Sequence, residues 1–190
     1  MKNTSFPQQT HFIGVLSPED LSLTLEDCRR YMRENYGCKS GHGTPIHVTL
    51  VLPFYLPEEY TTQDLVQAME QEVLPFASKF RFQAHVEGFD AFGDRTIFAR
   101  VQQNDAWRIL RDKVLETVLT VAPRCTKKDK WPFCPHLTVA NRDIPAGASL
   151  GALEVLKELQ LTEDFTVDNI TIFERQGSRW LEAWSGMLSL

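Results

Sequence analysis

The sequence predicts an α+β fold: a single bilobal domain over 1–190, built from two strand-helix-strand-helix-strand units about a pseudo-two-fold axis. Two mainly antiparallel sheets are expected to flank a central groove, with the helices outside. Three observations predict this. Hydrophobic periodicity alternates between strand and helix in the same order twice. The pattern His-apolar-Thr-apolar occurs at His47-Val48-Thr49-Leu50 and again at His136-Leu137-Thr138-Val139. Composition, 43% hydrophobic and 24% charged, is that of a globular chain able to bury a sizeable core.

The first half, about 9–92, opens with "HFIGVL" (His11 to Leu16), a short strand. Ser17-Pro18-Glu19-Asp20 then reads as a helix start, with Ser at the cap, Pro at the first helical position and an acid three residues after the cap. Leu21, Leu25, Cys28 and Met32 follow at helical spacing, and Gly37 is the stop. The Gly- and Ser-containing loop "GCKSGHGTP" leads to the strand with His47 and Thr49. Thr61 with Asp64 opens a second helix, whose Leu65, Met69 and Val73 share a face before Pro75 ends it. "FRFQAHVEGF" alternates as a strand, with Phe82, Ala84 and Val86 on one side.

The second half, about 95–190, repeats the order. "RTIFARVQ" is a strand, and Asn104 caps a helix with Trp107, Leu110, Val114, Val118 and Val121 on its buried stripe. The loop "PRCTKKDKWPFCP" precedes the strand with His136 and Thr138. A further helix runs from about Ser149 to Leu159; "FTVDNITIFER" and "RWLEAWSGML" close the chain as two strands joined at Gln176-Gly177-Ser178. The motif histidine falls 36 residues after His11 (47 − 11) in one half and 40 after Thr96 (136 − 96) in the other.

Charge and cysteine usage narrow the function classes. A net charge of −5 argues against a broad grip on long nucleic acid, which relies on many Lys and Arg contacts, but leaves room for a site for one phosphate. The segment Met1 to Pro7 has no signal-peptide core, and no run approaches the ~18–20 apolar residues of a membrane span. A cytoplasmic monomer with no membrane contact and no obligate protein partner is expected. Cys28, Cys38, Cys125 and Cys134 lack C-x-x-C spacing and read as reduced thiols. No metal-ligand spacing stands out among the 5 His and 4 Cys, so neither metal nor cofactor is expected.

Side chains at i and i+2 on a strand share a face. His47 and Thr49 therefore project together, as do His136 and Thr138, while Val48, Leu50, Leu137 and Val139 face the core. Two such units facing each other make a minimal phosphoryl-transfer site. One neutral His removes a proton from water, the other, protonated, gives one to the leaving alkoxide, and the two Thr hydroxyls hold phosphate oxygens. A strained cyclic phosphodiester is the easiest substrate, and no metal is required.

The doubled pattern resembles the two-histidine (2H) phosphoesterase superfamily, particularly its LigT-like branch of bacterial RNA 2′,3′-cyclic phosphodiesterases, historically called 2′-5′ RNA ligases. The likeness spans most of the chain and includes Pro135 before His136 and the strand-turn-strand ending "IFERQGSRWLEAWSGML". Ile46 stands where a Pro often precedes the first His of that family. The resemblance implies His47 as proton donor, His136 as acceptor, Thr49 and Thr138 as phosphate ligands, and hydrolysis of a 2′,3′-cyclic phosphate at an RNA end or on a small nucleotide. Ligation of 2′-5′ ends, hydrolysis of ADP-ribose 1″,2″-cyclic phosphate, or a non-catalytic nucleotide or RNA-end binding module are the alternatives.

Around the motifs, Phe54, Tyr55, Trp131 and Phe133 are candidates to stack a base or nicotinamide ring, or else pack the core. Lys127, Lys128 and Lys130 are candidates for a positive patch, and Arg142 for a phosphate contact. His11, His42 and His85 receive no role.

Overall fold

The computed structural model describes residues 8–39, 41, 43–126 and 132–188. Among these residues, eight strands and five α-helices follow in the order β1 (His11–Leu16), α1 (Glu19–Tyr36), β2 (His47–Phe54), α2 (Thr62–Ala68), α3 (Leu74–Ala77), β3 (Phe82–Phe92), β4 (Thr96–Val101), α4 (Asp105–Val121), β5 (His136–Asn141), α5 (Ser149–Lys157), β6 (Thr162–Val167), β7 (Asn169–Gln176) and β8 (Arg179–Met187). No helix among the described residues is long and apolar enough to cross a membrane.

All eight strands belong to one antiparallel sheet, ordered β6-β3-β4-β5-β2-β1-β7-β8. The α+β class and the duplication hold, but the two expected sheets are two halves of one. They meet where β2 and β5 pair at Val48↔Leu137. Each half also borrows strands. β1 and β2 are completed by the C-terminal β7 and β8, whereas β3, expected with the first half, pairs with β4 and β6. "FTVDNITIFER" is accordingly two strands: the chain leaves β6 at Val167 and enters β7 at Asn169, crossing from one half-sheet to the other.

The helices are exchanged in the same way. α1, which follows β1, packs on β5, and α4, which follows β4, packs on β2. Their apolar stripes bury Leu21, Leu25, Cys28 and Met32 from α1, and Trp107, Leu110, Val114 and Val118 from α4, against Val48, Leu50, Leu137 and Val139. At roughly 1.5–3 kcal/mol per large side chain, this exchange holds the halves together more firmly than one strand pair can.

Local signals act much as the sequence implies. Pro18 caps α1 one residue later than expected, and Gly37 closes it in the left-handed conformation at φ 72°, its N–H bonding the Arg33 carbonyl. Thr61 and Asp64 form a reciprocal capping box. Pro75 does not end the second helix. Having no N–H for the Gln71 carbonyl, it is accommodated by a wide π-turn over Met69–Val73, and the chain continues helical through α3.

Candidate active site

Both motif strands place their functional side chains by the same local device. His47 and Thr49 are half-buried between fully buried Val48 and Leu50; His136 and Thr138 are half-buried between Leu137 and Val139. The pleat thus turns both histidines and both threonines to the face opposite the helices. Directly after each threonine the pairing register jumps: Gly14↔Thr49 is followed by Ile13↔Val51, and Phe98↔Thr138 by Ile97↔Ala140. Leu50 and Val139 are the extra residues of two matching β-bulges. In sequence they leave a mark, the consecutive apolar pairs Leu50-Val51 and Val139-Ala140.

Carried one residue either way, the single antiparallel pair Val48↔Leu137 aligns His47 with Thr138 and Thr49 with His136. The four side chains form a diagonal square on one surface. Each imidazole is fixed alike. Nδ1 of His47 donates to the Pro45 carbonyl at 2.7 Å, and Nδ1 of His136 donates to the Cys134 carbonyl at 2.8 Å. A carbonyl cannot donate, so Nδ1 carries the proton and Nε2 is left as the working nitrogen of both neutral rings. Among the described residues no hydrogen-bond partner is found for either Nε2, or for the hydroxyls of Thr49 and Thr138. Four half-buried polar groups with bonding capacity left over face one place.

Aromatic rings frame each histidine. Phe12 and Phe173 lie 4.7 Å and 5.2 Å from the His47 ring, and Phe92 and Phe98 both lie 5.1 Å from the His136 ring. Desolvation by these surroundings is the largest influence on both histidines. It lowers His47 to about 4, with the positive charge of Arg29 and of a protonated His136 acting in the same direction; the Pro45 hydrogen bond opposes it. His136 is also lowered by burial, against the Cys134 hydrogen bond.

Beneath the square lies a residue that the sequence reading passed over. Arg29 of α1 is 4% exposed, and its guanidinium donates to the carbonyls of Thr138, Thr44 and Gly41. The signal was available: a cation at position 29 interrupts the buried stripe of Leu21, Leu25, Cys28 and Met32.

A family model described as the 2'-5' RNA ligase superfamily matches residues 17–179, a span that contains both motifs. The chain belongs to the 2'-5' RNA ligase superfamily. Among solved structures, this superfamily member is similar to TT0787 of Thermus thermophilus, at 20% identity and a TM-score of 0.62 over 94% of this chain and 97% of that one. It is similar to E. coli LigT complexed with 3'-AMP, at 14% identity and a TM-score of 0.61 over 96% and 99%. It is also similar to the MHV ns2 PDE domain, at 14% identity and 0.57 over 89% and 100%. At these identities the likeness is one of fold. No curated protein matches the chain in sequence.

Within this superfamily fold the remaining sequence candidates separate. Phe54 is 2% exposed, pairs with His11 and stacks on that ring at 6.0 Å, so it is a core residue rather than a substrate contact. Tyr55 is half-buried just beyond β2, and Phe133 packs against the core. Arg142 is exposed past the far end of β5, with φ 75° and its N–H bonded to the Arg95 carbonyl. Lys127, Lys128, Lys130, Trp131 and His42 lie outside the described residues. The aromatics that do meet the histidines come from β1, β3, β4 and β7. Nothing in the local sequence around the motifs names them, because the sheet order brings them in. All four cysteines are free thiols.

Proposed function

We propose that the protein is a phosphodiesterase that opens 2′,3′-cyclic phosphates of RNA ends or small nucleotides. The observation that carries this reading is the diagonal square: two Nε2 atoms and two hydroxyls, all unpartnered among the described residues, on one face of the seam. The hydroxyls of Thr49 and Thr138 hold the non-bridging phosphate oxygens. Neutral His136 takes a proton from the attacking water at Nε2, and protonated His47 delivers its Nε2 proton to the departing ribose oxygen. One P–O bond forms and one breaks, leaving a phosphomonoester and a free hydroxyl; for loss of the 3′ oxygen the product is a 2′-phosphate.

The direction of transfer follows the family resemblance, and burial adds a condition to it. His47 resists protonation in the free protein, so the substrate's own negative charge must supply the stabilisation that lets it carry the proton. Ligation of 2′-5′ ends uses the same groups with a 5′-hydroxyl in place of water as the nucleophile: the P–O5′ bond forms as the P–O3′ bond breaks, and its reverse cleaves a 2′-5′ linkage to a cyclic phosphate. The complexes of LigT with 3'-AMP, NADP+, ATP and phosphate support a nucleotide-sized ligand for this fold.

Hydrolysis of 2′,3′-cyclic nucleotides by the purified protein in excess EDTA tests the reading. His47→Ala and His136→Ala are each expected to lose about 10²–10⁴-fold in turnover. Unchanged turnover in both variants overturns it, and ligand binding that survives both with no turnover of any cyclic phosphate favours a binding module instead.

A further inference from the structure

We propose that Arg29 is the positioning residue of this cleft: its guanidinium clamps backbone on both sides of the seam and sets a permanent positive charge behind the phosphate-binding groups. The inference rests on the phosphate-site reading above and names what supplies that site's cation in an acidic chain.

The clamp is visible in its hydrogen bonds. Nε and Nη2 both donate to the carbonyl of Thr138, at 3.3 Å and 3.2 Å, from beneath the strand that presents the Thr138 hydroxyl. Nη1 donates to the Thr44 carbonyl at 2.7 Å and to the Gly41 carbonyl at 3.1 Å. Thr44 directly precedes Pro45, whose carbonyl fixes the His47 ring. One planar group therefore holds the second motif by its threonine and the first by the peptide next to the one that orients its histidine. A lysine lacks the planar fork, and its three N–H donors fall one short of these three carbonyls and the Glu26 carboxylate.

Its charge is also placed for use. Burying a guanidinium costs several kcal/mol unless it is well compensated. Here the carboxylate that pairs with it, Glu26 at 2.6 Å, is itself 45% exposed and so is screened by water, whereas Arg29 is 4% exposed. Field from the cation thus reaches the cleft less screened than the field of its partner. It already registers there, since Arg29 disfavours protonation of His47. The other elements against His47 contribute no further charge through Phe12 of β1 and Phe173 of β7; β5 contributes His136.

The test uses the full chain with inorganic phosphate as the probe. NMR follows phosphate affinity and the titration of the His47 ring in Arg29→Met, Arg29→Lys and Glu26→Gln, with kcat and KM measured on a 2′,3′-cyclic nucleotide. Arg29→Met is expected to weaken phosphate about ten-fold or more and to raise the His47 pKa; Arg29→Lys restores phosphate affinity but not kcat, because the fork is lost. Glu26→Gln, at a half-exposed position, leaves the cation less neutralised and is expected to tighten phosphate and lower His47 further. Wild-type phosphate affinity and His47 titration in Arg29→Met overturn the proposal, and if that variant does not fold, an unchanged Glu26→Gln does the same. Absence of turnover in the wild type counts against the phosphodiesterase reading alone, because the phosphate and NMR readouts do not depend on it.

Discussion

His47 lies over Gly14. A Cβ on that glycine would stand 3.4 Å from Cδ2 of the His47 ring and 2.7 Å from the Val48 carbonyl oxygen. Its φ is not in the left-handed region, so the glycine is required by the close approach of β1 to β2 and not by backbone conformation.

Gly14→Ala is therefore expected to force β1 from β2 and shift the His47 ring. Overpacking of this kind costs about 1–3 kcal/mol. Thermal melting should show that loss while turnover falls much further than the melting shift explains.

Activity should fall with rising pH through neutrality. One histidine must be protonated and the other neutral, and burial lowers both below 6.5 in the free protein. Above that range the singly protonated form is depleted about ten-fold per pH unit, so kcat/KM at pH 8 should be about a tenth of its value at pH 7. A flat profile across this interval contradicts the assignment. The kcat profile should lie to higher pH, because a bound phosphodiester anion favours protonation.

Stability should fall on the acid side for the same reason. Above pH 6.5 neither the folded nor the unfolded chain protonates His47, and it contributes nothing. Between 6.5 and about 4 the unfolded chain takes the proton that the folded protein refuses, so stability decreases as pH drops. Fully developed, the difference amounts to about 3 kcal/mol, with His136 adding in the same direction. Urea midpoints at pH 7 and pH 4.5 check this, and His47→Gln should shrink the gap between them.

Removing either hydroxyl proposed to bind phosphate should act on the reaction and leave the fold intact. Thr49→Val and Thr138→Val keep the strand shape, and among the described residues neither hydroxyl is spent on the protein. By analogy with single oxyanion donors, kcat should fall about 10²–10³-fold with melting temperature close to wild type.

Phe92 is 46% exposed and meets His136 edge-on, 90° between ring planes. Under the proposed function it would stack a base beside the phosphate. Phe92→Ala is expected to cost about 1–3 kcal/mol of nucleotide affinity, seen as a raised KM. An equal KM for the variant would assign that ring to packing on Phe98.

Much of this was legible because it is local. The i, i+2 alternation around His47 and His136 fixes which side chains share a face, and the caps at Thr61 and Asn104 fix where helices begin. Non-local choices were not legible. "FTVDNITIFER" reads as one strand despite Asp168-Asn169, and the competing partners β3 and β1 divide it there. Phe54 reads as a neighbour of the first motif, yet its pairing with His11 turns it to the helix-covered side. The rings that do frame the histidines are distant in sequence, and their role exists only once the strands are ordered. Pro75 misled for a local reason, because a π-turn can absorb the missing N–H.

The crossing of the chain at Asp168 ties the cleft to the completeness of synthesis. Until β7 is made, β1 lacks its outer neighbour and Phe173 is absent from the ring about His47, so a nascent chain that already contains both motifs has no finished first histidine environment. Severing the chain between the duplicated halves would leave each piece without strands held by the other. Two fragments cut there are expected to stay unfolded apart and to form the cleft only when mixed, with the last strands to dock.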